Sequence, residues 1–304
     1  MNRKAIYIGS IIVIILILLG FWGYYTKHNT IIDFNKTEAI PEYQVKNKEV
    51  PLRIAMVSVL SHADTAKYQN QLADSIGRLL NRPVLVLRRK SYAEINQLLN
   101  KGDADIGLLS TGAYCVYGKK EELTLLAMQQ RNNLPYYYSY IIVPADSTDY
   151  TFEDLRGKNF AYVDPLSYSG FFSVQARLQK IGITQDVFFN SYSFTYSHDA
   201  SIRAVAKKFV AGAAIDSLAY DYLLKYRPQI ASKIRIIEIL PPRGTGPIVA
   251  RKGLIDEKKI QQVLLHIHED KTAKDALDHL LIDKFILPEP SLYPTIDWYE
   301  KEVG

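Results

Sequence analysis

Twice after Pro51 the chain alternates short, continuously apolar runs with stretches whose apolar residues recur at helical spacing, and this pattern more than any other limits what it can fold into. Arg53-Ile-Ala-Met-Val-Ser-Val59 reads as a strand, and Leu72, Ile76, Leu79 and Leu80 mark one face of the helix that follows. Pro83-Val-Leu-Val-Leu87 reads as a second strand; Ser91 with Glu94 then forms a capping box ahead of Ile95, Leu98 and Leu99. Asp105-Ile-Gly-Leu-Leu109 is a third strand, before a short helix from Thr111. A second set starts near Thr151: strand Asn159 to Val163, helix Phe172 to Ile181, strand Val187-Phe188-Phe189, a helix face of Ile202, Val205 and Phe209, and strand Gly212 to Ile215. Alternation at this spacing predicts an α/β fold in which helices cover parallel sheet.

Two extended stretches, Tyr136 to Val143 and Ile234 to Leu240 before Pro241-Pro242, separate the sets and predict two lobes joined by two crossing strands. Lobe 1 is expected over residues 51–140 and 241–304, taking back C-terminal helices such as the one around Ile260, Val263 and Leu264, and lobe 2 over 141–240. About 250 residues after Pro51 suffice for this.

No residue from Ala5 to Tyr25 is charged, and Ile11 to Leu19 is continuously apolar, long enough with its flanks to span a bilayer. Arg3 and Lys4 precede the run and Trp22, Tyr24 and Tyr25 follow it, which predicts a transmembrane helix with a cytoplasmic N-terminus. Cleavage as a signal peptide would need small residues where Gly20-Phe21-Trp22-Gly23 stands, and no cysteine is nearby for a lipid anchor. Residues 1–25 are therefore expected to be an uncleaved, single-pass signal anchor in the cell membrane and the polar residues 26–50 a tether. The body is expected outside the cytoplasm, in the periplasm or at the cell surface.

Hydrophobic residues at 48%, charged residues at 23% and a mean hydropathy of −0.09 exclude a disordered chain and a polytopic membrane protein. The 37 Lys and Arg exceed the 32 Asp and Glu by five with no basic run, so nucleic acid is not an expected partner. Cys115 is alone, which excludes an internal disulfide and CxxC zinc sites. His266-Ile267-His268 would converge on a metal only in a strand, and its neighbours predict a helix end. No metal or other cofactor is expected.

In open α/β sheets ligands gather at the carboxyl ends of strands. Three such loops carry hydroxyls or a histidine: Leu109-Ser110-Thr111-Gly112-Ala113-Tyr114, Asp164 to Gly170, and Tyr196-Ser197-His198-Asp199. Each opens a helix, where backbone N–H groups and neutral hydroxyl donors suit an oxyanion. Ser and Asp are also ordinary N-caps, so any single loop is better explained by capping alone, and it is the convergence of three loops that points to a ligand. Ser167, Ser169 and His198 could be imagined as nucleophile and base, but G-x-S-x-G is absent and reversible binding suits the set better than catalysis. Tyr136-Tyr137-Tyr138 with Tyr140 fits either strand packing or stacking on a ligand.

Asp164-Pro-Leu-Ser-Tyr-Ser-Gly170 resembles the D-P-x-S-T-S-G loop of periplasmic phosphonate-binding proteins of ABC transporters, within the type 2 periplasmic binding proteins. Gly102-Asp-Ala-Asp-Ile106, Leu155-Arg-Gly-Lys158, Ser197-His198-Asp199 and Gly246-Pro-Ile-Val-Ala-Arg-Lys252 resemble further family stretches, in family order from Leu52 to the C-terminus. The resemblance implies a two-lobed type 2 fold that closes on a phosphonate, phosphite or phosphate-like oxyanion and hands it to an ABC permease. By the same resemblance Ser167, Ser169 and His198 are ligand-side residues, joined by Ser110, Thr111 and Tyr114 from the first loop and Tyr138 from a crossing strand. Tyr168 stands where the family usually has Thr, which puts a phenol at the expected pocket mouth. Gly246 replaces the usual Asp, and Gly112-Ala113 also departs from the family. The alternative function is a membrane-anchored sensory module reporting to a membrane signalling protein.

Overall fold

The structure is a computed structural model in which residues 50–57 and 62–296 are described. The expected membrane segment and, Val50 excepted, the tether lie outside the described residues. Among the described residues no helix is long and apolar enough to cross a membrane.

In chain order the elements are β1 (Leu52–Val57), α1 (His62–Leu80), β2 (Val84–Arg89), α2 (Tyr92–Lys101), β3 (Ile106–Leu108), α3 (Thr111–Cys115), β4 (Leu123–Gln130) and β5 (Tyr136–Pro144). They continue as β6 (Asn159–Tyr162), α4 (Ser173–Lys180), α5 (Gln185–Phe188), β7 (Ser191–Phe194), α6 (His198–Ala206), β8 (Gly212–Asp216), α7 (Ser217–Tyr226), α8 (Pro228–Ala231) and β9 (Ile234–Gly244). The last are β10 (Pro247–Arg251), α9 (Glu257–His266), α10 (Lys271–His279) and β11 (Lys284–Ile286).

The strands form two sheets, one per lobe, ordered β11-β4-β10-β3-β1-β2 and β7-β6-β8-β5-β9. Each is mixed rather than parallel. Local β-α-β units supply the parallel cores, with Leu52 opposite Val84 and Ile54 opposite Ile106 in the first sheet. In the second sheet β6 runs parallel to β7 and β8. Strands reached by non-local connections pair antiparallel: β10 with β3 and β4, and β5 with both β8 and β9. Periodicity identifies a strand, but the connection decides its direction.

Both faces of each sheet are covered, which explains the continuous apolar runs. Ile54 and Met56 pack with Ile248 and Phe285 under α1, α9 and α10, while Ala55 and Val249 pack with Ile95 and Leu99 of α2 on the other face. In the second sheet Phe160 and Tyr162 face α4, and Ala161, Ala213 and Ile215 face α6. A further apolar cluster, with Tyr92, Ala113 and Met128 from the first lobe and Leu166, Tyr168 and Phe172 from the second, seals the junction between them.

The Ser91–Glu94 capping box is complete. Two local readings are corrected. Val187-Phe188-Phe189 is not a strand: α5 ends there and the strand is Ser191–Phe194, because the rings of Phe188 and Phe189 fill the core by stacking on Phe152 and Phe160 at 4.8 and 4.4 Å. Over so short a run, apolar character does not separate helix from strand. Phe209 lies outside α6 and is 73% exposed, the backbone having turned at Lys208 with φ of 60°. His266 and His268 sit at the end of α9, where His266 Nδ1 lies 2.9 Å from Glu269 Oε1.

Candidate functional site

On the second lobe, the loop after β6 is folded by its own side chains. Asp164 Oδ1 accepts from Leu166 N at 2.8 Å, and Ser167 Oγ accepts from Gly170 N at 3.0 Å, capping a wide helical turn over Tyr168–Phe172 that runs into α4. Ser139 Oγ and Ser173 Oγ donate to the Ser169 carbonyl at 2.7 and 3.1 Å, which fixes the backbone there. The Ser169 hydroxyl is different: it is buried and has no hydrogen-bond partner.

α6 opens at Ser197, whose Oγ accepts from Ala200 N. The next residue, His198, is 1% exposed, and its Nδ1 accepts a 2.9 Å hydrogen bond from the Asp216 backbone N–H. Burial draws the His198 pKa down to about 3. The ring is therefore neutral, and with Nδ1 occupied as an acceptor the proton sits on Nε2, making it a fixed donor.

The first-lobe loop meets this one directly. Ser110 Oγ donates to the Leu166 carbonyl at 3.3 Å, and Tyr92 N at the start of α2 donates to Asp164 Oδ2 at 3.1 Å. Thr111 Oγ1 donates to the Gly244 carbonyl at 2.7 Å, tying the loop to the β9–β10 crossing. Two glycines permit close approaches here, Gly246 within the first lobe and Gly112 between the two loops. A Cβ on Gly246 would fall 2.4 Å from the Leu109 carbonyl oxygen, and one on Gly112 would fall 2.4 Å from Leu166 O. The departure from Asp at 246 thus has a steric cause in this chain.

Between the loops lies a cavity of about 150 Å³. Ser110, Thr111, Ser167, Ser169 and His198 all line it. Tyr168, Tyr114 and Tyr138 do not. The Tyr168 ring is buried in the interlobe cluster, its hydroxyl donating to the Pro241 carbonyl at 2.8 Å with Arg243 over its face, so the phenol is not at the mouth. Tyr114 packs edge-on to Tyr293, and Tyr138 lies edge-on to Tyr136. On β5 it is Tyr137 that turns inward and lines the cavity. Side chains alternate along a strand, so an error of one residue exchanges the two faces.

Sequence reasoning also missed two charged residues of the lining, Arg131 and Asp216. Asp216 ends β8 and caps α7, its Oδ1 accepting from Leu218 N at 2.7 Å. It occupies a fourth strand-end loop that the same topological rule would have found. Arg131, on the β4–β5 crossing, donates to Leu280 O at 2.6 Å and to Gln129 Oε1 at 2.8 Å, and nothing in its sequence context marks it. Burial pushes the Asp216 pKa up to about 7 against the opposing pull of Leu218 N and Arg131, with Asp221 adding a smaller upward push.

Protonated Asp216 adds a donor to the cleft; ionised, it repels an anion. Oxyanion affinity is therefore expected to fall as pH rises through about 7, by about tenfold for one pKa unit of coupling. Asp216→Asn should remove that part of the profile, and calorimetric titration with an oxyanion whose own charge does not change from about pH 6 to 8 checks it. Parallel profiles for the two proteins would show that Asp216 does not couple to the anion. The same shift has a stability consequence. The native state keeps a proton that the unfolded carboxyl releases above 3.8, so this group's contribution falls as pH rises from there to about 7.

Hydroxyls at helix starts and a buried neutral donor thus line one cavity between two lobes. A family model described as the periplasmic substrate-binding protein of phosphonate ABC transporters matches residues 54–293, and the chain belongs to that family. No curated protein matches the sequence. Among solved structures, the chain is similar to a binding protein component of an ABC phosphonate transporter from Pseudomonas aeruginosa, at 21% identity and a TM-score of 0.73, covering 79% of this chain and 82% of that one. It is also similar to a Prochlorococcus marinus protein in complex with methylphosphonate, at 19% identity and a TM-score of 0.74, covering 83% and 97%. The GluR0 ligand-binding core from Nostoc punctiforme in complex with L-glutamate shares the fold more distantly, at 14% identity and a TM-score of 0.54 over 75% and 98%. Fold similarity at these identities does not name a ligand; the family match gives this chain its place as a transport component.

Proposed function

We propose that this chain captures a phosphonate or closely related phosphorus oxyanion in the interlobe cavity and presents it to an ABC permease. The observation that carries this reading is the Ser169 hydroxyl, a buried donor without a protein partner at a helix start. It lines the same cavity as His198, Ser167, Ser110 and Thr111. An unpaired buried hydroxyl is costly unless a ligand completes it. Occupation of His198 Nδ1 by Asp216 N supports binding over catalysis, since a nucleophilic serine would need that base.

In this reading lobe 1 comprises residues 51–140 and 241–304 and lobe 2 residues 141–240, β5 and β9 carrying the chain across. The uncharged run Ala5 to Tyr25 anchors the protein in the membrane, with the body outside the cytoplasm. Nothing in the fold or the family match favours the sensory alternative.

Thermal-shift titration of residues 49–304 with methylphosphonate, phosphite, phosphate and sulfate tests the reading. A ligand at a hundred times its Kd stabilises by about 2.7 kcal/mol, which corresponds to about 5–10 °C for a domain of this size. One phosphorus oxyanion should give such a shift, and Ser167→Ala with Ser169→Ala should abolish it. A folded protein that responds to none of them would defeat the proposal.

A further inference from the structure

The edge of the first sheet away from the ligand loops carries a second feature. β1 and β2 enter the sheet there, and β10, antiparallel to β3, leaves it there. Val50, Arg82 and the turn after β10 thus meet around an open hollow of about 430 Å³. Its apolar lining is Leu80 and Ile260, both buried, with Val50 and Ile255, which are 70% and 78% exposed. Ile255 is the most exposed large apolar side chain among the described residues. The turn puts it there: Gly253 and Asp256 have φ of 80° and 66°, and between them Leu254 packs on the lobe 1 core while Ile255 faces water.

Basic groups surround this tip. Arg251, Lys252, Lys258 and Lys259 lie within four residues of Ile255 and all are exposed, against Asp256 and Glu257. Arg82 adds a fifth cation to the hollow. Among the described residues none of the five is ion-paired with a carboxylate. Arg82 Nε and Lys259 Nζ donate to the Val50 and Leu80 carbonyls at 2.9 and 3.3 Å, and both groups keep donors to spare. An apolar tip ringed by unpaired cations suits an occupant that is anionic at its face and apolar beneath, which is a bilayer containing acidic lipids. A soluble anion would leave Val50 and Ile255 in water. The course of the chain favours the same occupant, since residues 26–49 alone separate Val50 from the uncharged run Ala5 to Tyr25. Phe209, the exposed tip of lobe 2 at 73%, differs in that Lys208 beside it is neutralised by Asp146 at 2.6 Å.

We propose that lobe 1 docks on an anionic bilayer through this edge, Ile255 entering the headgroup layer while Arg82, Arg251, Lys252, Lys258 and Lys259 meet lipid phosphates. The inference extends the membrane-anchor reading, is tested apart from it, and does not depend on which solute is bound. The ligand loops lie at the opposite edge and stay open to solute. Each basic residue at such a surface strengthens the contact by about fivefold, and the effect fades as salt shortens the Debye length from about 8 Å to about 3 Å.

Cys115 is the single cysteine and is buried, so Ile255→Cys in the full-length protein takes an environment-sensitive fluorophore at that site alone. Phe209→Cys is the control. Each labelled protein would be combined with vesicles of phosphatidylcholine alone or mixed with phosphatidylglycerol. Emission from residue 255 should shift to the blue in the mixed vesicles, and about 1 M salt, or Lys252→Glu with Lys258→Glu, should abolish the shift. Extraction with alkaline carbonate reads the anchor separately. A shift at 255 in protein that carbonate strips away supports the docking edge and removes the anchor reading alone. No shift at 255, whether or not the protein resists extraction, overturns the inference, as does an equal shift at 209 or in phosphatidylcholine alone.

Discussion

Ser169→Ala is expected to weaken methylphosphonate binding by about ten- to hundredfold, the loss that follows from removing one hydrogen bond to a charged group. It should leave the melting temperature of the free protein almost unchanged. The reason is the asymmetry of that residue. Its carbonyl is held by Ser139 and Ser173, and those bonds survive the substitution, whereas its hydroxyl has no partner to lose. Ser167→Ala is the instructive contrast, because Ser167 Oγ caps the turn by accepting from Gly170 N and its loss costs stability as well. Paired calorimetry and thermal melts separate the two effects. If Ser169→Ala binds methylphosphonate as the parent does, the hydroxyl is not part of the anion site.

Gly112→Ala should lower affinity by about five- to a hundredfold through a different route, with no ligand contact removed. The added Cβ would meet Leu166 O at 2.4 Å, Tyr168 N at 2.6 Å and the Phe172 ring at 2.8 Å. The first two are backbone atoms of the opposite lobe and cannot rotate aside, and overpacking of this kind costs about 1–3 kcal/mol. That cost falls on the arrangement in which the loops touch. Hinge opening relieves it, so the binding-competent population drops and the apparent Kd rises in proportion. The bonds from Ser110 to Leu166 and from Tyr92 to Asp164 weaken with it. Small-angle scattering should show a larger radius of gyration for the variant. Unchanged scattering together with unchanged affinity would mean that the contact does not gate binding.

Much of the site was legible because its local physics is short-ranged. Ser167 and Ser197 cap helices through atoms three residues away, and His198 follows at the first helical position, so strand-then-helix periodicity puts these groups at a sheet edge. The same rule extends to Asp216, whose cap is equally local. Arg131 was not legible in that way, since its place in the cleft depends on Leu280 from a distant part of the chain. The sequence does not separate Tyr137 from Tyr138, because only the pairing of β5 with β8 and β9 shows that Tyr137 faces the cavity. The Tyr168 ring went the other way, drawn into apolar company between the lobes and held by Pro241.

The sequence by itself determined the α/β class, the positions of most helices and strands, and the three hydroxyl- and histidine-bearing loops. All of these follow from periodicity and capping, which act within a few residues. Only the tertiary structure decided that the sheets are mixed, that His198 is a neutral donor, and that Asp216 and Arg131 line the same cavity as Ser169 and His198. Those properties come from strand pairing and burial between segments far apart in sequence, where solvent exclusion shifts protonation and leaves space.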